Sequence, residues 1–468
     1  MNQPPSRKQQ LLKRHRRQKR LGLLIGLLVL VAIGVLVAWW LPLLLAVLAW
    51  VAHEAWFADH LFYSPRDDYQ YSFPFGTEQP KVHLDKQCLV LDQAIDLAGD
   101  ETLILAVKVS SSWLGRFFDP SVSLAGQDRQ TFERGVNGLR YLNLSGLARP
   151  LASGELQLRG RFCRVHGEPL LSVFREPDYR HQRVMVIAPH ADDAELAAFG
   201  LYSQADEAWV VTLTAGEIEA EHYRQMGMNA ADAARIKGRL RAWDSIAVPR
   251  WAGVAEERCV QLGYFCLQLP AMQAAPNRPV ASREAELSDI RLFRQFNPLP
   301  LPADADGAPT WNNLLADLRA LLLKARPEVI VLPHPTLDPH PDHICAQQAV
   351  LEALQGLEWQ PTTLLGYANH LHDNDRWPMG DSGAGIALPP VFDSAQVLRP
   401  CCLQLSIEQQ RDKAMALGMM HDLQPRAPFK RRLRRALQRV LAGRAGSPYG
   451  ENEFFRKAVR RHELFWRL

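Results

Sequence analysis

Two clusters of polar residues in this 468-residue chain carry side chains suited to hydrolysis. The first is Pro189-His190-Ala191-Asp192-Asp193-Ala194-Glu195. The second is His334-Pro335-Thr336-Leu337-Asp338-Pro339-His340-Pro341-Asp342-His343. Together they offer the imidazoles and carboxylates of a catalytic zinc site, which takes three protein ligands and leaves a fourth position for water. A carboxylate beside the ligands, but not one of them, is placed to act as general base. Taken singly, a His-Pro or Asp-Asp pair is ordinary turn chemistry. What sets these clusters apart is what precedes each of them.

RVMVIAPH, from Arg183, is a nearly continuous apolar run that stops abruptly in polar residues, the pattern of a buried parallel strand. EAWVVTLTAGE, residues 207–217, repeats that form, and VIVLPHP, residues 329–335, is a third case. Helices are expected over residues 229–246 and 311–325, and another beginning near Pro341. Strands alternating with helices imply a parallel α/β sheet, whose site lies outside the carboxyl ends of its strands. Both clusters directly follow such an end, so both face one crevice. The expected fold is therefore α/β, a Rossmann-like parallel-sheet hydrolase domain preceded by a β-sandwich-like domain and an N-terminal transmembrane helix.

Over residues 183–456 the chain resembles the LmbE/PIG-L family of zinc-dependent N-acetylglucosaminyl de-N-acetylases. PHADDAE matches the family's (A/P)HxDDxE motif and HPTLDPHPDH its HxDHxDH-like motif. TAGE at 214–217, then Lys413, Ala416 and His421, then Tyr449, Glu451 and Phe454 are weaker matches. The resemblance implies that His190, Asp193 and His343 bind the metal and that Asp192 is the general base. It implies that His340 stabilises the oxyanion and helps to protonate the leaving amine. Zinc is the implied cofactor, and ferrous iron fits the same ligands. The family often has a Glu where this chain has Gly238, which puts a local helix contact in doubt and leaves the motifs untouched.

Other polar residues are weaker candidates for the site. Glu195 falls in the first turn of a helix, where an acid complements the dipole. Asp342 is expected to orient a histidine, and Asp338 either does the same or caps a helix. Arg235 and Arg239 lie on the helix after the second strand and either reach substrate hydroxyls or stay on the surface. His370 and His372, in YANHLHDNDRWP, follow another apolar run and are expected on the crevice rim.

The formal net charge of +4 says little, but the basic residues gather at the two ends. Eight Lys or Arg fall in residues 1–20, and an uncharged apolar run follows from Leu21 to Ala52. That run is long enough for a bilayer core of roughly 30 Å and longer than the apolar region of about 7–15 residues in a signal peptide. The expected organisation is a basic tail over 1–20, a transmembrane anchor over 21–52 and a β-rich unit over 60–180. A deacetylase domain over 183–424 and a basic C-terminal tail over 425–468 complete it. Basic flanks stay in the cytoplasm. A single crossing then leaves the catalytic domain in the periplasm of a bacterial inner membrane, whereas two segments hinged at Pro42 form a hairpin that returns the chain to the cytoplasm.

The β-rich unit either binds glycan or spaces the catalytic domain from the membrane. Residues 270–310 are expected as a lid. In the C-terminal tail, Phe429, Leu433, Leu437, Val440 and Leu441 share one face of a basic amphipathic helix, suited to an anionic membrane or to packing on the domain. Seven cysteines with no CxxC spacing leave a Cys88–Cys163 disulfide or simple burial open. The expected partners are the lipid bilayer and a glycan or glycolipid, with lipopolysaccharide or a lipid-linked saccharide as substrate. Nucleic acid is not expected: one basic end abuts the span and no nucleic-acid fold motif is present. Two rival readings are a zinc amidohydrolase on another acetylated molecule and a non-catalytic glycan-binding membrane protein. A disused site would have lost at least one of His190, Asp192, Asp193, His340 or His343, and all five are present.

Overall fold

The computed structural model describes residues 7–425 and 427–468. The first six residues of the expected basic tail, and Arg426 of the C-terminal one, lie outside the described residues. The apolar N-terminal run does not form one rod. Helix α1 (Arg7–Leu36) joins the basic segment to the first half of the run, the chain turns over residues 37–40, and α2 (Leu41–Ala52) follows. Pro42 lies in the first turn of α2, where its fixed φ suits a helix start, so the turn precedes the hinge expected there. α1 contains a helix, Gln10–Leu36, long and apolar enough to cross a membrane.

The next unit has eight strands: β1 (Val82–Asp85), β2 (Cys88–Leu91), β3 (Thr102–Ser111), β4 (Ser121–Leu124), β5 (Asp128–Thr131) and β6 (Asn137–Asn143), then the short helix α3 (Ala148–Ala152), β7 (Leu156–Arg161) and β8 (Cys163–Phe174). They form two antiparallel sheets, ordered β1-β2-β7-β4-β5 and β6-β3-β8. Apolar residues from both meet in one core, among them Leu89, Leu103, Val122, Leu142, Leu156 and Leu171. The expected Cys88–Cys163 disulfide does not form: Cys88 lies on β2 and Cys163 opens β8, and all seven cysteines are free thiols.

The third sheet carries the chemistry. Its elements run β9 (Arg183–Ala188), α4 (Asp193–Tyr202), β10 (Glu207–Thr214), α5 (Glu221–Arg224), α6 (Ala230–Trp251), β11 (Cys259–Tyr264), α7 (Leu269–Ala274), α8 (Arg291–Arg294), α9 (Trp311–Ala325), β12 (Val329–Pro333), α10 (Pro341–Leu354) and β13 (Thr363–Tyr367). After them come β14 (Arg399–Gln404), α11 (Ile407–Met419), α12 (Phe429–Ala442), α13 (Glu453–Ala458) and β15 (His462–Arg467). The strand order is β11-β10-β9-β12-β13-β15-β14, parallel through the first five and antiparallel at the last two pairs. The described residues are thus mixed α/β with three sheets.

Three expectations change here. The boundary at residue 425 does not bound this sheet, because β15 of the expected tail is inserted between β13 and β14. Residues 270–310 are not a lid: Ala285, Ile290, Phe293, Leu301 and Ala303 are buried in the core beside β11. The β-rich unit does more than space the domain. Ile104, Ala106, Tyr141 and Phe174 pack on Leu464 and Trp466 of β15, covering the antiparallel end of the large sheet.

Burying β15 requires its polar residues to be paired. Glu463 is met by Lys413 Nζ of α11 at 2.8 Å and accepts from the backbone of Gly200 and Leu201 at 2.7 and 3.0 Å. Both charged side chains are 1% exposed. Removing one partner strands the other in a dry interior. We predict that Lys413→Met lowers the unfolding free energy of the detergent-solubilised full chain by about 3–5 kcal/mol in urea. A loss under about 1 kcal/mol, the level of a surface pair, would show that the pair does not hold β15 in place.

Candidate active site

The strand order reverses between β9 and β12, so the turns leaving these two neighbours open side by side. The turn after β9 is pinned by Pro189, whose carbonyl accepts from the Thr214 amide at 3.0 Å and hydroxyl at 2.8 Å. Asp192 then takes a left-handed φ of 103° before α4 begins. A non-glycine residue there costs of order 1–3 kcal/mol, and the surroundings must hold it. Arg241 of α6 does so. Its guanidinium donates to the Ala191 carbonyl at 2.5 Å, lies 3.4 Å from Asp192 Oδ1 and is itself held by Asp422. Gly216 makes room for it: a Cβ there would stand 2.4 Å from Arg241 Nε.

The turn after β12 is organised by Asp338. Its Oδ1 accepts from the His340 amide at 3.1 Å. Its Oδ2 accepts from the amides of Asn369 and His370 at 2.9 and 3.2 Å and lies 3.0 Å from His343 Nδ1. Pro341 starts α10, which sets His343 one turn into the helix. His334 belongs to the turn and not to the site: its Nδ1 accepts from the Leu337 amide at 3.3 Å, and its ring packs edge-on against Trp466.

The two turns meet at Asp193. Its Oδ2 lies 3.1 Å from His190 Nδ1 and 3.2 Å from His343 Nε2, and its Oδ1 accepts from Asn369 Nδ2 at 2.8 Å. On the other side of His190, Nε2 lies 3.1 Å from Asp342 Oδ2, which also accepts from the Leu267 amide at 2.7 Å. His340 closes the cluster, its ring 5.0 Å from His190, 4.8 Å from His343 and 5.3 Å from His370. Three overlapping groups have ligand atoms within 4.8 Å of one another: His190, His340 and His343; His190, Cys266 and Asp342; and Asp193, His343 and His370. His340 Nδ1 and Asp342 Oδ1 are buried without a hydrogen-bond partner among the described residues, and His343 Nε2 has only its ion contact with Asp193. Buried polar atoms of this kind call for a partner. A cation between the turns would give His343 Nε2 its partner, and the imidazoles and carboxylates with ligand spacing fit a metal.

Charge is divided unevenly across the site. Burial raises the Asp193 carboxyl, but the imidazoles of His343 and His190 outweigh it and hold it well below the usual carboxylate range. For neighbouring Asp192 burial prevails over Arg241 and pushes the carboxyl up to about 7. Burial also lowers His343, yet Asp193 and Asp338 raise it to about 10. His340 lacks such partners, and burial together with His343 and His190 brings it down to about 3.

The weaker candidates divide. Asp338 and Asp342 each hold a histidine, and His370 joins the imidazole stack. His372 belongs to none of the groups with metal-ligand spacing among the described residues. Glu195 does not face the crevice. It is buried behind it, accepts from Tyr202 at 2.9 Å, and burial raises it to about 7, which weakens the charge expected to complement the helix dipole. Arg235 donates to the Ala285 carbonyl at 2.9 Å and Arg239 is exposed, so neither enters the site. The arginine that does is Arg241, on the buried face shared with Ala234 and Gly238. Gly238 stands where the family often has Glu because Phe293 fills that place, 2.4 Å from where a Cβ would be. Sequence reasoning also missed Cys266, which follows a strand, β11, that it did not find, and Asn369.

A cation bound here must displace the proton that His343 carries at neutral pH, so affinity rises with pH. We predict at least one proton released per cation, and affinity rising about tenfold per pH unit for each proton displaced, below about pH 10. Calorimetry of zinc binding in buffers of different ionisation enthalpy measures it, and a pH-independent affinity would contradict it. Asp338→Asn should weaken cation binding by about 10–100-fold by releasing His343.

Residues 185–354 match the family model for GlcNAc-PI de-N-acetylase, PIG-L. No curated protein matches the chain. Similar solved structures include the conserved protein TT1542 from Thermus thermophilus, at 18% identity and TM-score 0.28 over 55% of this chain and 87% of that one. Another is GalB, the 4-carboxy-2-hydroxymuconate hydratase from Pseudomonas putida, at 16% identity and TM-score 0.32 over 55% and 84%. A family two carbohydrate esterase from Cellvibrio japonicus matches at 10% identity and TM-score 0.16 over 66% and 87%. At these TM-scores the structural likenesses carry no argument. The family match does, since it spans both polar turns. Residues 185–354, which hold every residue from His190 to His343 discussed above, are a domain of the PIG-L (LmbE-like GlcNAc-PI de-N-acetylase) family.

Proposed function

We propose that this protein is a metal-dependent hydrolase that removes the acetyl group from an N-acetylated amino sugar of the N-acetylglucosamine type, carried on a membrane-associated glycoconjugate. The observation that carries the reading is the Asp193 carboxylate oxygen between the imidazoles of His190 and His343, with Asp192 beside it. We read the strand order as Rossmann-like and the two amino-terminal sheets as sandwich-like. A zinc or ferrous ion held by His190, Asp193 and His343 would supply Lewis acidity toward the acetyl carbonyl and a water.

The chain's own groups divide the proton transfers. Neighbouring carboxylates whose environments push their pKa values apart take different roles. Asp193, held ionised, serves as ligand. Asp192, raised towards neutrality, takes the proton of the attacking water as its oxygen bonds the acetyl carbon. That proton then passes to the sugar nitrogen as the C–N bond breaks, giving acetate and a free amine. The resemblance gives His340 a share in this last transfer. With its imidazole held down to about 3, His340 is neutral and acts instead as a hydrogen-bond donor to the carbonyl oxygen as charge develops on it. Arg241 positions Asp192.

The test is acetate release by the full chain, loaded with zinc, from a panel of N-acetylhexosamine saccharides and glycolipids. Asp192→Asn should lower kcat by about 10²–10⁴-fold with cation content unchanged. His340→Ala should lower it by about 10²–10³-fold. No release from any member by folded, zinc-loaded protein would move the assignment to a different acylated amide, such as an acetylated thiol–sugar conjugate.

A further inference from the structure

The N-terminal apolar segment is an antiparallel helical pair. A Cβ on Gly34, near the end of α1, would meet the Pro42 ring at 3.0 Å at the start of α2. At the far ends, Lys19 Nζ of α1 lies 3.3 Å from His53 Nε2, just past α2. Beyond them the His15 ring stands 5.5 Å from that of His60. The polar ends of both arms are therefore level with each other, and the turn carrying Trp39 and Trp40, 86% and 53% exposed, points away from them. The apolar part of α1, residues 21–36, rises about 24 Å, less than a core of roughly 30 Å. No residue of α2 is buried, and neither is the apolar window of α1.

The base of this pair is locked to the catalytic body. Asp59 and Asp119 meet three arginines from distant parts of the chain. Arg444 is 2.7 Å from Asp59 and 2.8 Å from Asp119, Arg376 is 3.5 and 3.3 Å from them, and Arg134 is 2.7 Å from Asp119. The basic amphipathic helix α12 reaches the same place: Arg434 pairs with Glu54, and Gln438 donates to the Glu54 carbonyl at 3.2 Å. Phe429 and Val440 on its apolar stripe are 77% and 80% exposed. The crevice rim is tied in as well. Phe62 N donates to the Asp373 carbonyl at 3.0 Å, and Leu61 bridges Asn374, at most about 15 Å of chain from His370.

We infer that α1 and α2 form a hairpin that enters the bilayer and returns, that α12 lies on the same membrane surface, and that the catalytic body is on the side of the membrane that holds the basic N-terminus. Lys13, Arg14, Arg16, Arg17, Lys19 and Arg20, exposed at the mouth of the hairpin, face anionic lipid phosphates together with the arginines of α12. Both arms end on that surface whether the tryptophan tip reaches the far headgroups or stops short of them. By the distribution of basic residues this side is the cytoplasm, which replaces the single crossing and periplasmic body expected above. Resting on the proposed deacetylase reading, the substrate is then a lipid-linked amino sugar in the cytoplasmic leaflet, and lipopolysaccharide already at the cell surface is out of reach.

The topology is tested without reference to activity. In a Cys88→Ser/Cys163→Ser background, which leaves only buried cysteines, Phe75→Cys places a fully exposed thiol on the body. A membrane-impermeant maleimide added to spheroplasts of a bacterial host should label it only after lysis. Labelling of intact spheroplasts would overturn the inference while leaving the enzymatic reading intact. In the same background Val440→Cys, carrying an environment-sensitive fluorophore, is reconstituted in phosphatidylcholine vesicles with and without phosphatidylglycerol. A blue shift that phosphatidylglycerol strengthens is expected, and an unshifted spectrum in both would remove α12 from the membrane surface.

Discussion

The structure depends on one carboxylate. Asp193 is the first residue of α4, it is buried, and two imidazoles from different turns approach the same oxygen. An ionised carboxylate in a dry site is stable only with such partners. The partners reach it only because β9 and β12 are neighbours whose following turns open in the same direction. Everything around the site serves that meeting. Asn369 fixes the second oxygen of Asp193, Asp338 fixes His343, and the Thr214 side chain fixes the turn that delivers His190.

The same low-dielectric surroundings explain why two adjacent aspartates behave differently. Asp193 has the imidazoles. Asp192 faces a single guanidinium at 3.4 Å, and that guanidinium is shared with Asp422 and the Ala191 carbonyl. Weakly compensated burial raises its proton affinity. One turn of chain thus supplies a strong ligand and a proton acceptor, at the expense of a left-handed backbone at Asp192. Asp193, Asp338 and Asp342 each have more than one partner, and the parallel strands beneath the site are largely buried.

Much of this was legible in the sequence. Continuous apolar runs that stop at polar residues identify β9, β10 and β12, the helix expected at 311–325 has those bounds, and the one expected from Pro341 begins there. Both clusters were legible because each directly follows such a run. Other parts were hidden for physical reasons. β11 contains Gln261 and Gly263, which break its apolar run, so Cys266 behind it went unseen. β15 carries His462 and Glu463 inside a sheet, and partners far away in sequence, Lys413, the Gly200 and Leu201 amides and the Ser145 carbonyl, make that tolerable. Arg241 could not be told from Arg235 and Arg239 without knowing which helix face is buried. The reversal after α1 has no Gly or Pro within it, and composition alone could not separate a crossing from a return.

The chemistry depends on which atoms hold the metal. Cys266 offers a thiol beside His190, and a site using it would be chemically different. X-ray absorption at the zinc edge of the loaded protein separates the two directly. The account predicts only nitrogen and oxygen neighbours at about 2.0–2.2 Å, supplied by His190, Asp193 and His343. A sulfur neighbour at about 2.3 Å, or a spectrum unchanged by His343→Ala, would contradict it.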